Sequence, residues 1–148
     1  MDEAAIINYI QTALDGVDSV VSDGNTFFFY DPGKDLPSDH RFPFATLVAN
    51  DAYDQVSALS RPMVFRLNVG VSKQTYQSMF GTGRAPTAKD GTHDFTALDS
   101  IMPHPVYGKM YWVCVLSPSD ETFEQVRPML AEAHATAAES YKRRPQSK

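Results

Sequence analysis

The sequence predicts an α+β fold, a two-layer arrangement of one antiparallel sheet of about five to six strands with helices mainly on one face. Three observations predict it. Helical periodicity marks both ends of the chain, and period-two apolar runs fill the middle. Short turns join consecutive strands, which favours antiparallel pairing. The expected order is α-β-β-β-β-α-β-α. A chain of 148 residues suits a single domain, placed at 1–144, with a disordered tail at 145–148.

The first helix is expected over residues 3–14. Asp2 can cap it, Ile6, Ile10, Ala13 and Leu14 form its apolar stripe, and Gly16 stands where a stop is expected. Val17, Val20 and Val21 then lead into Asp23-Gly24, and Phe27 to Tyr30 follow. Asp-Gly between β-rich runs marks a hairpin, because both residues tolerate the positive φ of a type I′ turn. Residues 44–50 and 63–71 read as the third and fourth strands. In the fourth, Phe65, Leu67, Val69 and Val71 alternate with Arg66, Asn68 and Gly70, so the first set should face the helices.

Ser72 can cap a short helix over 72–80, which Gly81 ends. Residues 109–116 read as a last strand, apolar or aromatic on both faces, and therefore central or covered. The last helix is expected from Thr122, whose spacing to Gln125 matches a capping box. Its stripe is Phe123, Val126, Leu130, His134, Ala137 and Tyr141. Pro128 predicts a kink near Glu124 to Arg127 or a start nearer the proline. Residues 31–43 and 81–93, rich in proline and glycine, read as long loops, the second being the more mobile.

Composition narrows the function. The net charge of −5 argues against a broad electrostatic grip on phosphate, so nucleic acid is not an expected partner. A single cysteine allows no intrachain disulfide, and Cys114 within an apolar strand reads as a small buried hydrophobe. An acidic start and only strand-sized apolar runs predict a cytoplasmic protein with no membrane partner. No phosphate loop, zincin helix, nucleophile elbow or dinucleotide fingerprint is present. The four histidines, His40, His93, His104 and His134, lack the short spacings of ligand sets, so no metal and no cofactor is expected.

Two places could carry a site. In Met102-Pro103-His104-Pro105-Val106-Tyr107-Gly108, residues before proline are held out of the helical region, so His104 and Tyr107 project from a stiff segment. They form either a polar pair at a pocket mouth or a rigid lead into the strand with the imidazole bonded to a nearby carbonyl. The second place is the sheet face opposite the helices. Arg66 and Asn68 point there, with Phe28 or Tyr30 and Tyr111 or Trp112 as expected neighbours. Such a set could take a small anion, a planar ligand or a protein. Because bare aromatics on that face are costly, loops 31–43 and 81–103 or a second subunit should cover it.

Four stretches carry a resemblance: Asn25 to Asp31, Arg41 to Thr46, Arg61 to Val71 and Pro103 to Gly108. Together they resemble a bacterial family, domain of unknown function 6194, over about residues 4–144. The resemblance implies a stand-alone bacterial domain with no assigned activity or catalytic residues. More distantly, the element order is similar to the YjbR-like domains, a helix–sheet–helix group sometimes described as DNA-binding; the acidic charge departs from that role.

The function expected is a non-enzymatic ligand- or protein-binding module using the open sheet face, through Arg66, Asn68, His104, Tyr107, Tyr111 and Trp112. The expected partners are a homodimer mate, another protein or a small-molecule ligand. The alternatives are a small enzyme using His104 with Arg66, and a weak nucleic-acid binder.

Overall fold

The computed structural model describes residues 1–37, 41–87, 91 and 93–143. The elements run α1 (Glu3–Ala13), β1 (Val17–Ser22), β2 (Asn25–Tyr30), β3 (Ala45–Val48), β4 (Arg66–Gly70), α2 (Lys73–Phe80), β5 (Met102–Pro103), β6 (Trp112–Leu116) and α3 (Asp120–Arg143). The six strands form one antiparallel sheet in the order β1-β2-β3-β4-β6-β5. The α+β class and the element order are those the sequence predicts, with the two-residue β5 added as an edge. His40 and the tail 145–148 lie outside the described residues, as do residues 88–90 and 92 of the expected mobile loop.

Local chemistry explains several starts and stops. Asp2 caps α1 by accepting from the Ala5 N–H at 2.8 Å. The hairpin closes on Asp23 and Gly24, both at positive φ (54° and 79°), with Ser22 paired to Asn25. These are the angles of a type I′ turn. Ser72 caps α2 by accepting from the Thr75 N–H at 3.1 Å, and Gly81 follows at φ 84°. Glu132 of α3 reaches the same helix start, accepting from the Ser72 N–H and the Thr75 hydroxyl, both at 2.6 Å.

Several boundaries depart from expectation. β3 is shorter than 44–50, and β4 is shorter than 63–71, with Met63 at φ 61° outside the strand. Residues 108–110 form a 3₁₀ turn and Tyr111 is left-handed at φ 68°, so β6 begins at Trp112 rather than 109. An apolar composition suited a strand there, but the backbone turns at Tyr111 and leaves Met110 exposed. The long helix starts at Asp120 and is capped by Ser119, whose hydroxyl accepts from the Thr122 N–H at 3.2 Å. It runs through Pro128 without a new start. Pro128 and Glu124 are both exposed, so the carbonyl that loses its donor lies on the solvent side.

α1 and α3 cover one face of the sheet. Ile6 and Ile10 from α1, and Phe123, Val126, Leu130 and Ala133 from α3, join Phe28, Leu47, Leu67, Val69, Val113 and Val115 in the main core. The other face holds a second, smaller cluster that includes Val48, Leu59, Phe95, Met102, Cys114 and Leu116. That face is not open. Residues 49–65 cross its centre, Phe95 and Met102 cover the β6 side, and Arg41 lies over the Phe29 ring at 4.3 Å on the β2 side.

Candidate functional site

The covered face is organised around Arg66, which is 1% exposed. β4 aims Arg66 and Asn68 to the same side because strand residues two apart share a face. Its Nη1 and Nη2 donate to Asp54 Oδ1 and Oδ2 at 3.1 and 2.7 Å, the two-point grip that a guanidinium makes on a carboxylate. Nη1 also donates to Ser57 Oγ at 2.9 Å, and Nε donates to Asn68 Oδ1 at 3.0 Å. Asn68 Nδ2 then donates to Thr46 Oγ1 at 2.9 Å on the neighbouring strand. Burial works to raise the Asp54 carboxyl, but the hydrogen bond and charge of Arg66 outweigh it and hold it below 3.8.

Around this chain of bonds, the 49–65 segment is pinned at several points. Asn25 Oδ1 accepts from the Ala49 N–H at 2.7 Å, and Asn50 Nδ2 donates to the Asp23 carbonyl at 2.7 Å. Tyr53 packs edge-on against Phe27, and the Leu59 N–H donates to Asp51 Oδ1 at 2.9 Å. Arg61 donates to the carbonyls of Ser57, Ala58 and Thr96, tying this segment to the one that carries Phe95.

His104 is buried nearby. Its Nδ1 accepts from the N–H groups of Val106 and Tyr107, both at 3.0 Å, so the ring is neutral with its proton on Nε2. Burial drives its pKa from 6.5 down to about 3, and the positive charge of Arg66 pushes the same way against the opposing charge of Asp54. The imidazole is thus the acceptor of a tight turn, held by two backbone N–H groups rather than by the carbonyl that the sequence reading expects. Tyr107 stacks at a tilt on His104 and is half exposed. Cys114 is buried, and desolvation raises its thiol to about 12.

The six expected residues therefore do not form one site. Arg66 and Asn68 are bonded together, and His104 and Tyr107 form a second pair. Tyr111 lies on the helix side, where it packs against Tyr76. Phe28 and Tyr30, expected beside Arg66, also face the helices: Phe28 is core, and Tyr30 meets His134 and Tyr141 edge-on. The aromatics on the Arg66 side of β2 are Phe27 and Phe29.

Trp112 belongs to a different place. Its ring lies over Gly70, where a Cβ would come within 3.0 Å of Cε2. Any side chain at Gly70 would push the indole back by a few tenths of an ångström, so glycine lets it lie closest to β4. From there Trp112 lines a cleft of about 860 Å³ between the sheet ends, the loop after β2 and the C-terminal half of α3. Phe29, Tyr30, Phe42, Phe44 and Tyr141 supply its other aromatic walls. Thr136 and Ser140, one turn apart on α3, and Asp35 and Arg143 provide its polar groups. Tyr141 donates to Asp35 Oδ1 at 2.8 Å and so fixes the loop to the helix. Phe42 is 77% exposed and Met110 61%, two large apolar side chains left bare on the cleft lining.

Sequence reasoning missed Asp54, Ser57 and Thr46 in the polar chain, and Phe42 and Met110 at the cleft. Among the described residues, no cluster of three or more His, Cys, Asp or Glu could hold a metal ion. No described helix is long and apolar enough to cross a membrane. No curated protein and no solved structure matches the chain, and the YjbR-like likeness gains no support. A family model matches residues 1–146, and the chain belongs to that family, a family of unknown function (DUF6194).

Proposed function

We propose that the protein is a binding module that takes a small, largely apolar and planar molecule in the Trp112 cleft. One observation carries this reading: a cleft of about 860 Å³ walled by aromatic rings, with Phe42 and Met110 held out at its rim. Ligand pockets of this volume bury most of a small molecule against apolar walls and orient it with a few polar groups. Thr136, Ser140 and Arg143 can serve as those groups. The reading moves the expected binding surface from the Arg66 face to the opposite end of β4. Arg66 and His104 are each committed to internal bonds, which favours binding over catalysis.

The single tryptophan makes the test direct. Anilinonaphthalene sulfonate, a largely aromatic probe carrying one sulfonate, should quench Trp112 fluorescence saturably. Ser140→Phe, which fills the mouth, and Phe42→Ser, which removes a wall, should each weaken binding by about tenfold or more, the value of one large apolar contact. Absence of quenching, or quenching unaltered in both variants, overturns the proposal.

A further inference from the structure

The two edges of the sheet are finished differently. β5 has two residues, one of them Pro103, and Pro105 follows shortly after. Short, proline-bearing edges cannot accept another strand, a common protection against unwanted pairing. β1 is six residues long, holds no proline and no lysine, and among the described residues pairs only with β2. Its exposure rises along the strand, to 39% at Val20 and 69% at Val21.

The hairpin register fixes which backbone groups point outward. In a two-residue hairpin the pair flanking the turn exchanges hydrogen bonds, and bonded pairs then alternate. Ser22–Asn25 flanks the turn, so Ser22, Val20 and Asp18 bond to β2. Val17, Ser19 and Val21 direct their N–H and C=O groups away from the sheet. No backbone bond to these groups is found among the described residues. Six residues of strand offer about 20 Å of ladder.

From this edge we infer that the protein forms a twofold dimer by antiparallel pairing of β1 with β1 of a second copy. The register follows from complementarity. With the axis at Val20, each Ser19 exchanges hydrogen bonds with Val21 of the other copy, and the two Val20 side chains meet at the centre. Asp18 falls opposite Ser22 and Asp23 opposite Val17, so no like charges oppose each other. Shifting the axis to Ser19 keeps the bonding pattern but sets Asp15 against Asp23, which is unfavourable. Asp18 is in addition neutralised within its own chain by Arg41. The joined sheet would have twelve strands, with only the short β5 edges left at its ends. An edge of this length buries less area than a permanent dimer needs, so the association is reversible and concentration-dependent.

Sedimentation equilibrium from about 10 µM to about 1 mM tests this, a range set by the small contact expected. The wild-type chain should shift from monomer to dimer across it. Val21→Pro removes an outward N–H without touching the β1–β2 bonds, and Val20→Lys puts two cations at the axis. Both should stay monomeric throughout while keeping the wild-type circular dichroism and thermal midpoint within a few degrees. A wild-type chain that is monomeric at every concentration overturns the inference. So does a dimer that survives both variants, because its contact then lies elsewhere. Should Val21→Pro fail to fold, Val20→Lys alone decides the question.

Discussion

The two faces of β4 reach burial by different physics. Leu67 and Val69 face α1 and α3 and are held by many weak, interchangeable apolar contacts. Arg66 and Asn68, on alternating positions of the same strand, are as deeply buried but are held by five directed hydrogen bonds. An apolar face tolerates substitutions of similar volume. A polar face works only when every partner is present, because a buried charge without its mate costs far more than the pair contributes. The helix side thus gives the fold its stability, while the loop side gives the 49–65 segment a unique placement.

The largest expected effect comes from breaking the loop side. Asp54→Ala leaves the Arg66 guanidinium buried without its carboxylate and should cost about 3–5 kcal/mol in urea denaturation. Replacing both groups, Arg66→Met with Asp54→Leu, should recover most of that loss. The residual of about 1–2 kcal/mol reflects Asn68 Oδ1 and Ser57 Oγ, which both lose their Arg66 donor. A double variant no more stable than Asp54→Ala would mean that shape, not charge, holds the segment, and the contrast between the faces would collapse.

On the helix side, Leu67→Ala should cost about 3 kcal/mol, from lost burial plus an unfilled cavity. A loss below 1 kcal/mol, about that of a volume-conserving swap, would show that this face collapses around the gap. The effect should also be independent of pH, unlike that of its neighbours across the strand.

The smallest effect sharpens the contrast through His104. Its pKa is about 3 in the folded chain against 6.5 for the free side chain. Between these values the unfolded chain binds a proton that the folded chain does not, so the unfolded state gains as pH falls. The His104 contribution is complete above 6.5 and declines toward about 3. His104→Asn keeps a side-chain acceptor for the Val106 and Tyr107 amides and removes the titration. Stability measured from about pH 7 to about 5.5, above most carboxylate titration, should fall less steeply for the variant. Parallel slopes would refute the assignment.

These differences also explain what could be read from the residues in advance. The hairpin was legible because Asp23-Gly24 carries its own backbone preference, and the β4 alternation because period two is a local property. The polar partners were not. Asp54 lies twelve positions before Arg66 in a segment without periodicity, and nothing local distinguishes it from a solvated aspartate. At residues 109–111 composition misled, since Met110 and Tyr111 suit a strand while the left-handed backbone at Tyr111 ends the turn. Trp112 was singled out for its aromatic character, but its placement depends on Gly70 and on a loop and helix far away in the chain. The resemblance to the family rested on such short strings and survives, because strings are what a sequence displays directly.

The position of β6 sets an order on synthesis. It is the last strand made, yet it lies between β4 and β5, both made earlier. Until residues 112–116 leave the ribosome, β4 presents an unfilled edge and β5 has no neighbour at all. The nascent chain can close the β1–β4 meander and lay residues 49–65 on one face of it, but the other face is not sealed until α3 follows β6. The sheet is therefore not complete until β6 and α3 have both emerged, and until then the β4 edge is the surface that chaperones or aggregation would meet first.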